Sequence, residues 1–290
     1  MLWMLLFLLQ QPTDAHPSQN PIYADLLARG VTLAPSVRAS LASPTMCDGL
    51  TPAQQREVIE KLPGRQTPTE ELLRLSTVAP FVLKIRDLDS GVANAPGRAV
   101  DLYFVAQGRL ADLEKSELLN RLLNSGRQDA RIRPLTPEEV AHRVTRPTGP
   151  ATDHQAYAHV AVPLMDRVLL SGTCATSWSR TTDSLLVAGH IDPRFSADRE
   201  FPNEWRRLKR TEDGKLEPDG AGHRYEAAGY YLKLTRLREP DAALFIEWHL
   251  VFAEPSGWFD GANLLRSKLP LVLQTKVRGF RRDLLRDPQK

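Results

Sequence analysis

The sequence predicts an α+β fold in which an antiparallel sheet of about seven strands packs against a long C-terminal helix. Three observations predict it: alternating apolar residues in the segment 243–254, one apolar stripe along 269–284, and a proline-rich beginning. Eight of the 22 prolines fall within residues 12–68, where apolar clusters are sparse. That stretch is therefore predicted to be a loop-rich, partly helical arm rather than a domain with its own core.

Composition excludes several classes of protein. The 290 residues are 42% hydrophobic and 25% charged, which is ordinary for a globular chain and unlike a collagenous or wholly disordered one. The net charge of +3 is too small to indicate a nucleic-acid partner. A chain of this length buries enough surface to fold without a metal or a disulfide, and no cofactor is predicted.

The first residues predict export. Leu2 to Leu9 form an unbroken apolar run, which is too short to cross a bilayer, because a spanning helix needs about 20 residues. The run suits a secretory signal peptide with cleavage near Ala15, so residues 1–15 are expected to be removed and the protein to be periplasmic or extracellular. The first basic residue is Arg29. An uncleaved membrane anchor or an apolar helix docked on the body is therefore also consistent with the sequence.

The predicted elements follow from changes in hydrophobic period. Threonine before proline, with Gln or Glu three residues later, predicts helix starts at Thr51, Thr67 and Thr136. Leu118, Leu119, Leu122 and Leu123 form the stripe of another helix. Period-two runs predict the strands, which are Phe81–Asp87, Ala99–Ala106, 156–163, 167–178, 184–192, 224–237 and 243–254.

Two further segments complete the predicted organisation. Residues 16–74 are assigned to the arm and 75–290 to the main domain. The charged stretch 193–223 is expected to be a mobile insertion or a functional lid, because structureless connections of this length are uncommon in compact domains.

The predicted terminal helix has two distinct faces. Its apolar stripe consists of Leu269, Val272, Leu273, Val277, Phe280 and Leu284. Between Arg266 and Lys290 there are eight Lys and Arg residues against two Asp. The basic face is expected either to be simply solvated or to contact anionic lipid or an acidic partner.

This order of elements resembles the START-like, or helix-grip, superfamily. The residues that carry the resemblance are the strand Ala243–Glu254, the turn Pro255–Phe259 and the helix through Leu285. The resemblance implies a curved antiparallel sheet that grips the terminal helix around an apolar cavity, with capacity to bind a lipid or another apolar molecule. It implies no reaction, since one fold hosts many functions.

Five residues are candidates for the wall of such a cavity, although an apolar stripe of this kind more often belongs to an ordinary core. The candidates are Trp178, Tyr230, Leu232, Trp248 and Phe252.

Catalytic motifs are not evident, but two pairs of residues are candidates for chemistry. Glu247 with His249, and His190 with Asp192, each place a carboxylate and an imidazole on one strand face, where they suit acid–base work or metal ligation. The competing interpretation is structural. A hairpin register that sets Trp248 opposite Leu232 also sets Glu247 opposite Lys233, which gives the carboxylate an ordinary cross-strand partner.

Cysteine content is compatible with export. Cys47 and Cys174 are the only two cysteines, and they are expected either to form one disulfide that closes a long loop or to remain separate thiols.

The functional prediction is an exported, non-enzymatic protein that binds a lipid or another apolar ligand in the cell envelope. One alternative is a hydrolase- or cyclase-like enzyme that uses one of the two carboxylate–histidine pairs. The other is a structural module that binds a partner through the segment 193–223 and the basic helix face.

Overall fold

The computed structural model describes residues 15–89, 96–115, 131–143, 155–255, 257–259 and 264–286. The apolar run Leu2–Leu9 and the helix predicted around Leu118–Leu123 lie outside these described residues. All statements about structure below refer to the described part of the chain.

The main sheet is antiparallel and contains ten strands, and a separate hairpin pairs β1 (Val31–Ala34) with β2 (Val37–Ala39). The strands of the main sheet are β3 (Val82–Leu88), β4 (Gly97–Gln107), β5 (Arg131–Pro134), β6 (Gln155–Leu164), β7 (Val168–Arg180), β8 (Ser184–Ile191), β9 (Glu204–Arg210), β10 (Leu216–Arg224), β11 (Ala228–Leu237) and β12 (Ala243–Ala253).

The strand order of the main sheet places strands next to each other that are far apart in sequence. It runs β10-β9-β7-β8-β11-β12-β4-β3, and β6 connects β5 to β7 off this path. The last strand, β12, pairs with β4, which also pairs with β3, so strands from the beginning and the end of the main domain are neighbours in the sheet.

The segment 193–223 is not an insertion without structure, as the sequence predicted, but a continuation of the sheet. A short 3-10 turn at Pro193–Phe195 leads into the hairpin of β9 and β10. Almost every residue of β10 is exposed, so the strand has no apolar face that could show an alternating pattern. The predicted strand 224–237 is in fact two strands, because β10 ends at Arg224 and β11 begins at Ala228.

Seven helices flank the strands. They are α1 (His16–Gln19), α2 (Pro21–Ala28), α3 (Pro52–Glu60), α4 (Thr69–Leu73), α5 (Leu110–Lys115), α6 (Pro137–Ala141) and α7 (Leu264–Arg286), counted within the described residues. Thr51 and Thr136 form the predicted capping boxes at the starts of α3 and α6. Thr67 does not, because α4 begins two residues later and Pro68, which has no side-chain donor or acceptor, takes the cap position.

The terminal helix α7 is longer than predicted, since it begins at Leu264 and contains Pro270 in its interior. Leu273, Val277, Phe280 and Leu284 are buried, which confirms the predicted stripe. Val272 is the exception, with 39% of its surface exposed. The helix packs on β4, where the ring of Phe280 meets the ring of Phe104 edge to face at 6.1 Å.

Both faces of the sheet are covered. We call the side against α7, which carries Leu102, Leu232 and Trp248, the helix face. The opposite side, which carries Lys233 and Glu247, is the arm face, because residues 15–80 pack on it. An antiparallel sheet often leaves one face in water, but here the proline-rich arm closes the second face and contributes buried residues such as Met46, Ile59 and Leu72.

Candidate functional site

A continuous row of apolar side chains crosses the helix face. Trp178 of β7 is paired with Val187 of β8, and Val187 with Leu232 of β11. Leu232 is opposite Trp248 of β12, which in turn is opposite Leu102 of β4. Directly opposed residues in an antiparallel sheet lie on the same face. The row therefore spans five strands, with a tryptophan at one end and another near its middle.

A second row runs beside the first and contains Tyr230. The phenol ring of Tyr230 lies across Gly189 on the neighbouring strand, where a Cβ atom would come within 3.0 Å of the ring. The Tyr230 hydroxyl is hydrogen-bonded to Thr176, and burial raises the pKa of this phenol. Tyr230 therefore stays protonated and presents a flat, largely apolar surface between the strands.

Helix α7 covers the helix face unevenly. Leu102 and Leu232 are each 1% exposed, whereas Trp178, at the β7 end of the same row, is 40% exposed. Phe252 is also buried. The described helix packs on β4. Val187, the neighbour of Trp178 in the row, is 2% exposed, so the accessible surface of the row is confined to Trp178 at its β7 end and to the half-buried Trp248.

Trp248 lies between these extremes and is half-buried. The ammonium group of Lys276, on α7, lies 5.3 Å from the centre of the Trp248 ring, which is within the range of a cation–π contact. The indole N–H of Trp248 is buried and has no hydrogen-bond partner among the described residues. Buried indole donors usually have an acceptor, so this nitrogen is an unused hydrogen-bonding group on the helix face.

The five residues predicted as a cavity wall thus share one face of the sheet. Leu232 and Phe252 are core residues in this structure, while Trp178, Tyr230 and Trp248 keep some accessible surface. Contact with a ligand stays a prediction for all five.

The two cysteines do not form a disulfide. Cys174 packs with the cluster on the helix face, while Cys47 packs with the arm residues around Met46 on the opposite side. The sheet separates the two sulfur atoms, so the structure has the two separate thiols, which is the second of the two alternatives that the sequence left open. Burial raises the pKa of Cys174 to about 11, so its thiol is protonated at neutral pH.

On the arm face, Glu247 is fully buried and is bound by the arm. One carboxylate oxygen accepts hydrogen bonds from the main-chain N–H and the hydroxyl of Thr45, at 2.7 and 2.6 Å. The other oxygen accepts one from the main-chain N–H of Met46 at 3.0 Å. These donors satisfy the buried charge, because a carboxylate needs several hydrogen bonds when it leaves water.

Lys233, opposite Glu247, is also completely buried and is bound by the next residues of the arm. Its ammonium group donates to the main-chain carbonyl of Met46 at 2.9 Å and lies 3.2 Å from Asp48. Burial acts to raise the pKa of Asp48, but Lys233 and the hydroxyl groups of Thr181 and Ser184 outweigh it, so the pKa is lowered. Asp48 is therefore the ionised counter-charge of the buried lysine.

His249 completes this buried cluster. Its Nδ1 atom is 2.8 Å from a carboxylate oxygen of Asp101, and its Nε2 atom is 3.7 Å from Glu247. The imidazole stacks on Tyr231 with 4.6 Å between ring centres. Burial acts to lower the pKa of His249, but the two carboxylates outweigh it and raise the pKa. Because His249 is 1% exposed and Glu247 0%, the arm leaves no approach for a substrate, and the geometry does not support the predicted catalytic role of this pair.

The two residues of the second predicted pair, His190 and Asp192, have different surroundings. Asp192 is buried, accepts from the main-chain N–H of Arg194 at 3.0 Å and forms an ion pair with the Arg194 guanidinium. It therefore caps the 3-10 turn that follows β8. His190 points instead into a small surface pocket beside the arm. Among the described residues, no three His, Cys, Asp or Glu side chains are placed to hold a metal ion.

One structurally important residue, Arg281, was not singled out from the sequence. It was counted in the basic face of the terminal helix, but it is 2% exposed. Its guanidinium donates to the main-chain carbonyls of Val105, Ala79 and Pro80 and so ties α7 to the sheet. A signal was present, because residue 281 is four positions after Val277 and three before Leu284, which places it on the buried stripe.

No helix of the described part of the chain is both long enough and apolar enough to span a membrane.

The arrangement agrees with the fold that the helix-grip resemblance predicts: β12, the last strand of the antiparallel sheet in chain order, leads into the long helix α7, which packs back on the same sheet, and β12 pairs with β4 of the β3–β4 pair. No protein-family model and no curated protein matches the chain.

Several solved structures are similar to the chain at low sequence identity. The crystal structure of human STARD10 is 9% identical over 67% of this chain and 72% of that one, with a TM-score of 0.33. The lipid transfer and protein localization domain of human StarD13 (DLC2) is 11% identical over 81% and 98%, with a TM-score of 0.32. An uncharacterized protein from Rhizobium leguminosarum is 10% identical over 65% and 98%, with a TM-score of 0.26. TM-scores this low carry no argument about function.

Proposed function

We propose that this protein binds an apolar small molecule or lipid on the helix face of its sheet and acts as an exported protein of the cell envelope. The observation that carries the proposal is the apolar row from Trp178 to Leu102, which is buried except at Trp178 and, in part, at Trp248. A buried apolar row whose open end exposes 40% of a tryptophan offers a ligand an entry and a hydrophobic floor.

The polar groups along this floor fit a ligand with a polar end. The unpartnered indole N–H of Trp248 offers a donor, and the Lys276 ammonium lies above the same ring. A ligand oxygen that accepts from this indole would satisfy a donor that otherwise lacks a partner. Pockets for small molecules commonly combine an apolar lining with a few such polar groups.

The direct test is to identify what the protein carries and what it binds. Solvent extraction of the purified protein followed by mass spectrometry is expected to release a stoichiometric apolar compound. Titration with palmitate, followed by tryptophan fluorescence, is expected to saturate. An extract without such a compound, together with no saturable palmitate binding, would overturn the proposal.

A matched pair of variants locates the binding to the helix face. Trp178→Glu places a charge at the open end of the row and is expected to weaken palmitate binding about tenfold, because a desolvated charge beside an acyl chain is unfavourable. Val78→Glu places the same charge at a 60% exposed position outside the row and is expected to leave binding within about twofold. Equal losses in both variants would contradict the assignment.

We extend the proposal to the membrane surface because of the composition of the open side of α7. Leu271, Arg278, Arg282 and Leu285 are exposed and lie at offsets of 0, 7, 11 and 14 residues, which places them on one face of the helix. Apolar residues flanked by arginines suit the interface of an anionic bilayer.

This extension is tested by sedimentation with vesicles. Binding to vesicles of phosphatidylglycerol and phosphatidylcholine is expected to exceed binding to pure phosphatidylcholine and to fall as salt is raised. The double variant Arg278→Gln and Arg282→Gln is expected to lose the difference between the two vesicles, while Arg109→Gln, an exposed arginine outside α7, keeps it. Binding that ignores lipid charge would count against a membrane role.

Export is part of the proposal and is supported by the apolar run Leu2–Leu9. Cleavage after Ala15 would retain His16, whose imidazole is buried and hydrogen-bonded to Ser179 and Ser184 at 2.7 and 2.8 Å. N-terminal sequencing of the protein from its native cells is expected to start at or near residue 16. A chain that retains Met1 in a cytosolic fraction would overturn export.

A further inference from the structure

A pocket separate from the helix face opens where the arm meets the ends of β8 and β11. Its volume is about 200 Å³, which corresponds to roughly seven water molecules at the density of the liquid. The lining is mixed, and its apolar side is formed by Leu26 and Val31 of the arm, which are both buried. The pocket thus has room for a small metabolite whose apolar part would lie beside these two residues.

The close approach of arm and sheet fixes the shape of this pocket. Gly229 lies beneath it on β11, and a Cβ atom there would come within 2.7 Å of Val31 and 2.8 Å of Leu26. Any larger residue at 229 would push the arm away. The apolar side of the pocket is therefore held by the close packing of the Leu26 and Val31 side chains on the main chain of β11.

Two of the polar groups at the pocket are carboxylates that already have partners. Asp25 forms an ion pair with Arg29, and Glu226 forms one with Arg224. Because an arginine already neutralises each of these carboxylates, they do not favour a cationic ligand.

Besides the hydroxyl group of Thr32, the remaining polar side chains at the pocket are His190 and Arg38, and both of these have unused hydrogen-bonding capacity. Neither side chain has a hydrogen-bond or ion-pair partner among the described residues, although His190 is largely buried and Arg38 is exposed at the pocket. Burial lowers the pKa of His190, so its ring is neutral at pH 7 and offers one donor and one acceptor. Arg38 offers an unmatched positive charge with donors that suit a carboxylate.

We propose that this pocket binds a small organic carboxylate, with its acid group on Arg38, its apolar body against Leu26 and Val31, and a second polar group on His190. This site lies on the arm face and does not depend on the lipid site proposed for the helix face. Short hydroxy acids have the required size and the required combination of groups.

The test uses three closely related probes and the full-length protein. The probes are 2-hydroxy-3-methylbutanoate, its uncharged amide, and 3-methylbutanoate, which lacks the hydroxyl group. Titrations are followed by calorimetry and by the C2–H resonance of the His190 imidazole. The hydroxy acid is expected to bind about tenfold more tightly than the amide, since a charge-assisted hydrogen bond contributes about 1.5 kcal/mol or more. It is also expected to shift the His190 resonance, and 3-methylbutanoate is expected to bind more weakly.

Variants assign the contacts. Arg38→Gln and His190→Gln are each expected to weaken binding of the hydroxy acid about tenfold, while Arg109→Gln, an exposed arginine elsewhere, changes it by less than about twofold. Thermal unfolding midpoints of Arg38→Gln and the wild type are expected to agree, because Arg38 is exposed. The inference is overturned if the acid and the amide bind equally, if inorganic phosphate binds as well as the hydroxy acid, or if Arg38→Gln binds like the wild type.

Discussion

Lys233 and Glu247 lie directly opposite each other on neighbouring strands, yet each of these buried charges is bound by the N-terminal arm rather than by the other. Glu247 takes main-chain and hydroxyl donors from Thr45 and Met46, and Lys233 takes Asp48 as its counter-charge. The arm thus supplies the groups that make the charged side of the sheet stable away from water.

Removing the counter-charge of Lys233 is expected to destabilise the fold strongly. Asp48→Asn leaves a fully buried ammonium group without an anion, and breaking a buried pair costs about 3 kcal/mol or more. Urea unfolding measures the change. Asp241→Asn, at an exposed position between β11 and β12, serves as the control and is expected to stay within about 0.5 kcal/mol. Similar small effects in both variants would show that the pair does not hold the arm.

The stability of the protein is expected to depend on the protonation of His249. The pKa of this imidazole is raised in the folded state, so its contribution is fully present below the ordinary value of 6.5 and is lost as pH rises through the folded pKa. The free energy of unfolding of the wild type should therefore fall, relative to His249→Gln, as pH rises above the ordinary value of 6.5 and through the raised folded-state pKa. His142→Gln, at an exposed position, should follow the wild type. Parallel curves for wild type and His249→Gln would refute the raised pKa.

Asp101, the partner of His249, is expected to make the free energy of unfolding fall toward acid pH, whereas His249 makes it fall toward alkaline pH. Burial acts to raise its pKa, but His249 and Arg86 outweigh it and lower the pKa below 3.8. Its contribution is therefore present above the ordinary value and is lost as pH falls through the folded pKa. Acid unfolding of Asp101→Asn should be less steep than that of the wild type in this range. An unchanged acid transition would argue against this assignment.

Arg281 is expected to be the main polar attachment of the terminal helix. Arg281→Met removes the donors of the main-chain carbonyls of Val105, Ala79 and Pro80 and should destabilise the protein by about 3 kcal/mol. Arg282→Met, at the adjacent exposed position, should change stability by less than about 0.5 kcal/mol. Urea unfolding distinguishes them, and equal effects would mean that the basic run acts only through its net charge.

Two glycine substitutions are expected to change the stability of the fold in opposite directions. In Gly189→Ala the new methyl group meets the Tyr230 ring at 3.0 Å, so the ring must tilt and the fold should lose about 1 kcal/mol. Gly279→Ala in α7 meets nothing within 4 Å and should gain about 0.5 kcal/mol from helix propensity. Thermal unfolding of both variants provides the comparison. Stabilisation in both would show that Tyr230 has room to move.

The parts of the fold that the sequence predicted depend on local periodicity. Alternation placed Trp248 opposite Leu232 and Glu247 opposite Lys233, and the structure confirms both pairs. The buried stripe of α7 followed from the 3.6-residue period in the same way. These patterns are visible because each strand or helix presents one apolar face.

The parts that were not predicted depend on contacts between distant residues. Lys233, Glu247 and His249 alternate with apolar residues as a solvated face would. Lys233 and Glu247 are bound by distant residues of the arm, in part through main-chain groups, and that kind of partner leaves no mark in the sequence. The strand β10 also gave no signal, because almost all of its residues are exposed and none of its faces needs apolar side chains. The candidate ligand residues were placed on one face by the strand pattern, but their degree of exposure depends on how far α7 extends across the sheet.

The coverage of the arm face bears on how the molecule is best divided for laboratory work. A recombinant product that starts at residue 75 would keep the strands and the terminal helix but would discard Thr45, Met46 and Asp48. Three ionisable side chains would then lie bare among aromatic rings. Such a shortened product is expected to aggregate on expression, so the arm, residues 16–74, belongs in any preparation intended for crystals or screening.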